Sequence, residues 1–427
     1  MRVTAFAVVV GATGAWSGLA LGQQSVVGTL RAAERSHPGD SDAAFALGRA
    51  LRRAGQPVEA STELRKAAAL GQTPSEKVAA YEELARVYDD AKDFYQAMSV
   101  CRHLGSIKTA GASAHVCAAQ AHFVRQRAAE ALSEVEQAQA IDPRSYAAKV
   151  AEGRARELEL DVPRAEAALR EAIAIDPGPA DAHLALGRLL WGAGRRAEGL
   201  AEVRRAVEID PEGPDGLFEL SRVLGQGNES MAALDHAVRE RPSFADAWRA
   251  LGVERLAAGQ LAAAEQAGRV ALRLSPNDAV ARVVLGQVAL AEGRVDEADR
   301  AGRAALKVVP NSAAAELLIA DANAKKGDID LAVEAYQKAW GLDHADPSPL
   351  VRASEACHAA GRDTSARAFG VRATEEFPAW APAWRALGDA LAAQGEKGAA
   401  REAYEKALMA SEGKIERDVV ERKLAGP

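Results

Sequence analysis

The chain has 427 residues, of which 48% are hydrophobic but only 5% aromatic, 26% are charged, and the formal net charge is −7. The hydrophobic share excludes a disordered chain, and the acidic balance argues against a general nucleic-acid binder, which carries a basic face or stripe. Three cysteines, Cys101, Cys117 and Cys357, are too few for a disulfide scaffold.

From the N-terminus, Met1-Arg2 precedes an uncharged, mostly apolar stretch, Val3 to Leu21, and Ala20-Leu21-Gly22 places small residues at −3 and −1 of a cut before Gln23. Residues 1–22 read as a secretory signal peptide, which places the mature protein in the periplasm or outside the cell. The alternative is an uncleaved anchor in the inner membrane, since 19 residues just span a bilayer. Gly11, Gly14, Gly18 and three hydroxyl residues make the stretch only mildly apolar, which favours cleavage. Residues 23–40 then supply an N-terminal capping helix, with Val26, Leu30 and Ala33 in the register of a second repeat helix.

The next 374 residues repeat. Pro143, Pro177 and Pro211 stand 34 apart, as do Pro242, Pro276 and Pro310; His344 takes the proline's place and Pro378 follows. Aligned on these positions, eleven repeats fill residues 41–414, starting at Ser41, Val78, Ala112, Tyr146, Ala180, Pro214, Ala245, Ala279, Ala313, Pro347 and Ala381. Ser75 to Lys77 are inserted after the first repeat, and the sixth is three residues short around Gly225-Gln226-Gly227-Asn228, a candidate bend.

Each repeat reads as two amphipathic helices joined by a turn. Gly at the fifteenth place of seven repeats supplies the left-handed residue that ends the first helix. Three columns are small: the eighth place (Gly48, Gly153, Gly187), the twentieth (Ala in nine repeats) and the twenty-seventh (Ala in ten, with Leu104 the exception). Small columns let helix axes approach closely. Residues 415–427 form a polar C-terminal capping helix and tail.

Trp248 with Leu251-Gly252, Ala264, Ala271 and Pro276, and Trp384 with Leu387-Gly388, Ala400, Tyr404 and Ala407, resemble the tetratricopeptide-repeat (TPR) signature. The resemblance implies an all-α, right-handed α-solenoid of helix-turn-helix repeats that binds protein or peptide partners in its concave groove. It implies an interaction scaffold or adaptor with no cofactor and no catalytic role; the alternative is a membrane-anchored cell-envelope assembly or structural component. No nucleophile elbow, phosphate loop or metalloprotease motif is present, so no catalytic residue is assigned.

In the family the ninth place of each repeat faces the groove. Here it reads Arg49, Arg86, Gln120, Arg154, Arg188 and Arg222, then Val253, Gln287, Asp321, Glu355 and Asp389. The N-terminal half is basic and the C-terminal half acidic. A solvated face would look the same, but arginine forks also suit an acidic peptide. Phe45 and Phe218, at the fifth place, are apolar groove candidates for the same partner. The chaperone carboxylate clamp known in the family does not carry over, because Asn is absent from the ninth place.

Cys101, His103, His115, Cys117 and His122 cluster, but residues two apart on a helix point about 200° from one another, so no metal site is assigned. Packing accounts for these residues. A Cys101–Cys117 disulfide between adjacent helices is the alternative that export would allow.

Overall fold

The computed structural model describes residues 19–411 and 414–425, and these form 24 α-helices and no strand. The signal segment expected over residues 1–22 lies outside the described residues apart from its last four, which open the helix Leu19–Ser36. Among the described residues no helix is long and apolar enough to cross a membrane.

The helices between the two terminal ones fall into eleven consecutive pairs, and within each of the two units described below successive pairs pack on one another. The small columns explain how a pair closes. A Cβ on Gly153 would come within 2.5 Å of Leu169 Cγ, and one on Gly187 within 2.6 Å of a Val203 methyl group. In these repeats the eighth place of the first helix is therefore the seat of the twenty-fourth place of its partner helix, as it is for Gly48 and Leu64. In the last repeat the Gly388 seat takes the ring of Tyr404. The alanines of the twentieth and twenty-seventh columns are closed off completely, as Ala165, Ala264, Ala305 and Ala339 show at 0% exposure. In the sixth repeat both small positions are serines, and Ser230 Oγ donates to the Ser221 carbonyl at 3.2 Å.

Turn geometry follows the sequence in part. Gly55, Gly194 and Gly259 have φ of 70°, 82° and 71° at the fifteenth place. The same place in the second, third and fourth repeats holds Lys92, Gln126 and Leu160, which take the left-handed conformation without being glycine, at φ of 55°, 53° and 61°. An L-residue there costs on the order of 1 kcal/mol, because Cβ crowds the backbone carbonyl.

The insertion after the first repeat lengthens a helix and makes no loop. Pro74–Asp90 runs 17 residues because Thr73 accepts from the Glu76 amide at 3.2 Å, while the Glu76 carboxylate takes the Thr73 hydroxyl and the Gln72 amide. The deletion shortens Pro214–Leu224 to 11 residues, and Gly225 and Gly227 make its turn.

The ends are covered. Val27, with Leu30 alongside, packs Leu19–Ser36 onto Leu47, Leu51 and Leu64, whereas Val26 is exposed, so the buried face is displaced by one residue from the expected register. At the other end Val420 of Lys414–Ala425 is fully buried against Leu387, Leu391 and Tyr404.

The chain divides into two compact units, one ending at Ala247 and one beginning at Trp248. Within the first unit the array meets itself. Leu19–Ser36 touches Asn228–Glu240, Arg53 pairs with Asp210 at 3.5 Å, and a Cβ on Gly55 would overlap the Ser243 hydroxyl. The inner face of this unit is therefore a lumen closed by a seam.

Candidate functional site

The first helices of the repeats line that lumen, a cavity of about 990 Å³. Its wall includes Arg49, Arg86, Gln120 and Arg154 of the ninth place, together with Lys92 and Gln126 from the strained turns.

The arginines of the first unit differ in how they are neutralised. Arg86 donates to Glu83 at 2.9 Å, and Arg52 donates to the same carboxylate at 2.6 Å. Glu83 is buried, yet the two guanidiniums outweigh that burial and hold its carboxyl below the usual range. Glu219, also at the sixth place of its repeat, stands 4.0 Å from Arg188 and 3.4 Å from Arg222. At these looser distances burial wins, and the Glu219 carboxyl is pushed up. Arg49 and Arg154 have no carboxylate partner among the described residues; each guanidinium stacks on a ring, Phe45 at 5.7 Å and Phe123 at 4.6 Å.

Arg154 is half-buried and sits within Coulombic reach of Arg188 and Asp89. Burial, and then the Arg188 charge, lower its affinity for its proton. Across from it, Asp89 Oδ1 is buried without a hydrogen-bond partner. Burial, reinforced by Asp90, pushes the Asp89 carboxyl up to about 7.

In the second unit the acidic ninth-place residues are all engaged. Asp321 accepts from Arg352 and, at 2.7 Å, from the Tyr336 hydroxyl. Glu355 accepts from Arg385 at 2.9 Å. Asp389 accepts from Lys423 at 2.5 Å and from the Tyr404 hydroxyl at 2.7 Å, with Arg385 at 3.8 Å. A cavity of about 600 Å³ lies over this network, walled by Leu290, Ile329 and Ala356 with Asp321, Arg352 and Glu355.

The fifth-place aromatics are half-buried. Phe45 packs against Leu47, Ala68 and Tyr81, and Phe218 lies 5.0 Å from Phe244. Cys101 of Phe94–Gly105 and Cys117 of Gly111–Val124 are buried, with Cα atoms 5.5 Å apart and sulfur atoms at bonding distance. The histidines nearby face separate neighbours: His103 the Ser99 carbonyl, His115 the Glu134 carboxylate, and His122 the Phe94 ring.

Two features of the site were missed in the sequence. Lys92 and Gln126 hold a glycine's place, so they were legible only as departures from the fifteenth column. Tyr336 and Tyr404 stand at the twenty-fourth place of the two repeats that carry Asp at the ninth, and that coincidence signals the pairing of Asp321 and Asp389.

Three family models, each described as tetratricopeptide repeat, match the chain: one over residues 161–217, one over 27–76, 218–279 and 283–347, and one over 381–413. Among solved structures, yeast Tom70 is similar over 90% of this chain and 95% of its own, at 13% identity and a TM-score of 0.45. Cut9 in the APC/C hetero-tetramer Cut9-Hcn1 is similar over 95% and 89%, at 19% identity and 0.42. MamA is similar over 37% and 94%, at 20% identity and 0.34. At these TM-scores the likenesses carry no functional weight. No curated protein matches the chain.

Proposed function

Because the chain belongs to the tetratricopeptide-repeat family, whose members generally bind proteins and are generally not enzymes, we propose that it is an exported interaction scaffold whose first unit holds an acidic segment of a partner. The observation that carries this reading is the lumen wall of the first unit. Arg49, Arg86 and Arg154 of the ninth place line it, and Arg49 and Arg154 make no ion pair with a carboxylate among the described residues. Guanidinium forks match carboxylates in shape and charge, and a concave wall offers several at once. The second unit offers less to a charged partner, since Asp321, Glu355 and Asp389 are already matched.

Export is supported by the apolar segment that precedes Gly22 and by the approach of Cys101 to Cys117, a pairing that persists in an oxidising compartment. The second reading, an anchored envelope component, rests on the same apolar segment remaining in place. Mass spectrometry of the mature N-terminus separates the two: a start near Gln23 means release, and an intact Val3 to Leu21 means an anchor.

The groove reading is tested by reversing charge at Arg154, Arg188 and Arg222 together and measuring capture of the partner. Capture should be abolished; unchanged capture would remove the basic wall from the account.

A further inference from the structure

Within the proposed groove the arginines are not equivalent, and the difference identifies one recognition point. Arg86 is matched by Glu83, and Arg188 and Arg222 share Glu219. On the same wall Arg241 donates to both oxygens of Asp215, at 2.9 and 2.7 Å. Arg154 is the half-buried exception: no carboxylate contacts it, Asp89, Glu157 and Asp181 act on it only at longer Coulombic range together with the like charge of Arg188, and Phe123 lies under its guanidinium. A partly desolvated cation beside a like charge is unfavourable unless an anion completes the arrangement.

Three further observations surround it. Lys92 and Gln126 line the same cavity from the turns at the fifteenth place. Arg49 and Lys92, both exposed to the lumen, add cations without partners among the described residues. Asp89 Oδ1, buried without a hydrogen-bond partner, supplies an acceptor near Arg154.

We propose that Arg154 is the central anion receptor of the first unit, seating one carboxylate of an extended acidic peptide, while Asp89 accepts an N–H of the same segment. This rests on the scaffold reading above and narrows it from a ladder of arginines to one. The geometry favours a peptide over a phosphate backbone, because a peptide offers N–H groups to the unpartnered Asp89 acceptor and a phosphate backbone offers none.

The test uses the full chain and two fluorescein-labelled probes, hexaglutamate and hexaglutamine, read by fluorescence anisotropy. The wild type should bind hexaglutamate and not hexaglutamine. Arg154→Gln should weaken hexaglutamate binding at least tenfold, as loss of a charge-assisted bond requires. Arg154→Lys should recover part of the loss. The charge-neutral double variant Arg401→Gln/Glu405→Gln, an exposed pair outside the groove, should stay within about twofold of the wild type. Circular dichroism establishes that each variant is folded, and the lysine variant keeps the test decisive if the glutamine variant is not. Equal losses in Arg154→Gln and the double variant would overturn the proposal, as would equal binding of the two probes or no hexaglutamate binding by the wild type. If hexaglutamate fails while the triple charge reversal still abolishes partner capture, the scaffold reading survives and the single-receptor inference falls.

Discussion

The two units carry opposite charge at the same column, but they differ more deeply in whether that charge is used up. In the first unit Arg49 and Arg154 rest on aromatic rings and make no ion pair with a carboxylate among the described residues. In the second unit every ninth-place acid is tied to a basic residue of the following repeat or of the C-terminal helix, and Asp321 and Asp389 to a tyrosine as well. A charged column is an internal brace in the second unit and, on the reading proposed above, a binding surface in the first. Sign alone does not distinguish them; pairing does.

Several changes break or sharpen this contrast. The largest effect should come from the Cys101–Cys117 bridge of the first unit, whose sequence separation of 16 gives a stabilisation of about 3 kcal/mol on reduction of unfolded-chain entropy. Native-state hydrogen exchange with and without reductant should show faster exchange around Phe94–Val124 and no change in the second unit. Two freely alkylated thiols in the untreated native protein would refute the bridge.

Next, Asp389→Ala should destabilise the C-terminal repeats by about 2 kcal/mol, because it strands a tyrosine hydroxyl and a lysine at a largely buried site. Arg154→Ala should cost less than about 0.5 kcal/mol, having no ion pair to lose. Urea melts of the two variants, compared side by side, measure the difference between brace and receptor directly.

Asp89 gives a smaller, pH-dependent effect. Its carboxyl is raised to about 7, so between the usual carboxylate range and pH 7 the folded state binds more protons than the unfolded one, and stability falls as pH rises through that window. Asp89→Asn should therefore stabilise the protein by about 1 kcal/mol at pH 8 and have little effect at pH 4. A stabilisation that is the same at both pH values would contradict the assignment.

The smallest effect is at the strained turns. Leu160→Gly should stabilise the fourth repeat by about 0.5 kcal/mol, relieving a left-handed Leu at φ 61° whose side chain is 85% exposed. Gly293→Ala, in open space at φ 79°, should cost about 1 kcal/mol in thermal melts.

The repeat frame was legible because it rests on steric columns that recur eleven times: Gly153, Gly187 and Gly388 show directly why no larger residue fits. Local exceptions were less legible. The inserted Ser75–Lys77 became helix because Thr73 and Glu76 cap it, an outcome set by two side chains and not by the repeat. Val27 replaced Val26 in the core because the terminal helix has no preceding helix of its own repeat to set its rotation and also meets Asn228–Glu240. The seam between Gly55 and Ser243 joins residues far apart in sequence, and no column foretells such a contact. The sign of the ninth column could be read from the sequence, but its pairing depends on which side chains of the next repeat reach back across the groove.

The account's central claim is that the first unit, and not the second, receives the partner. Gln120 and Gln287 occupy the ninth place in the two units, are the same residue type, and carry none of the charges in question. A photo-crosslinking amino acid placed at each in cells asks the question directly. The prediction is adducts from position 120 to a protein whose crosslinked segment is rich in Asp and Glu, with none from position 287; adducts from 287 alone, or equally from both, would contradict it.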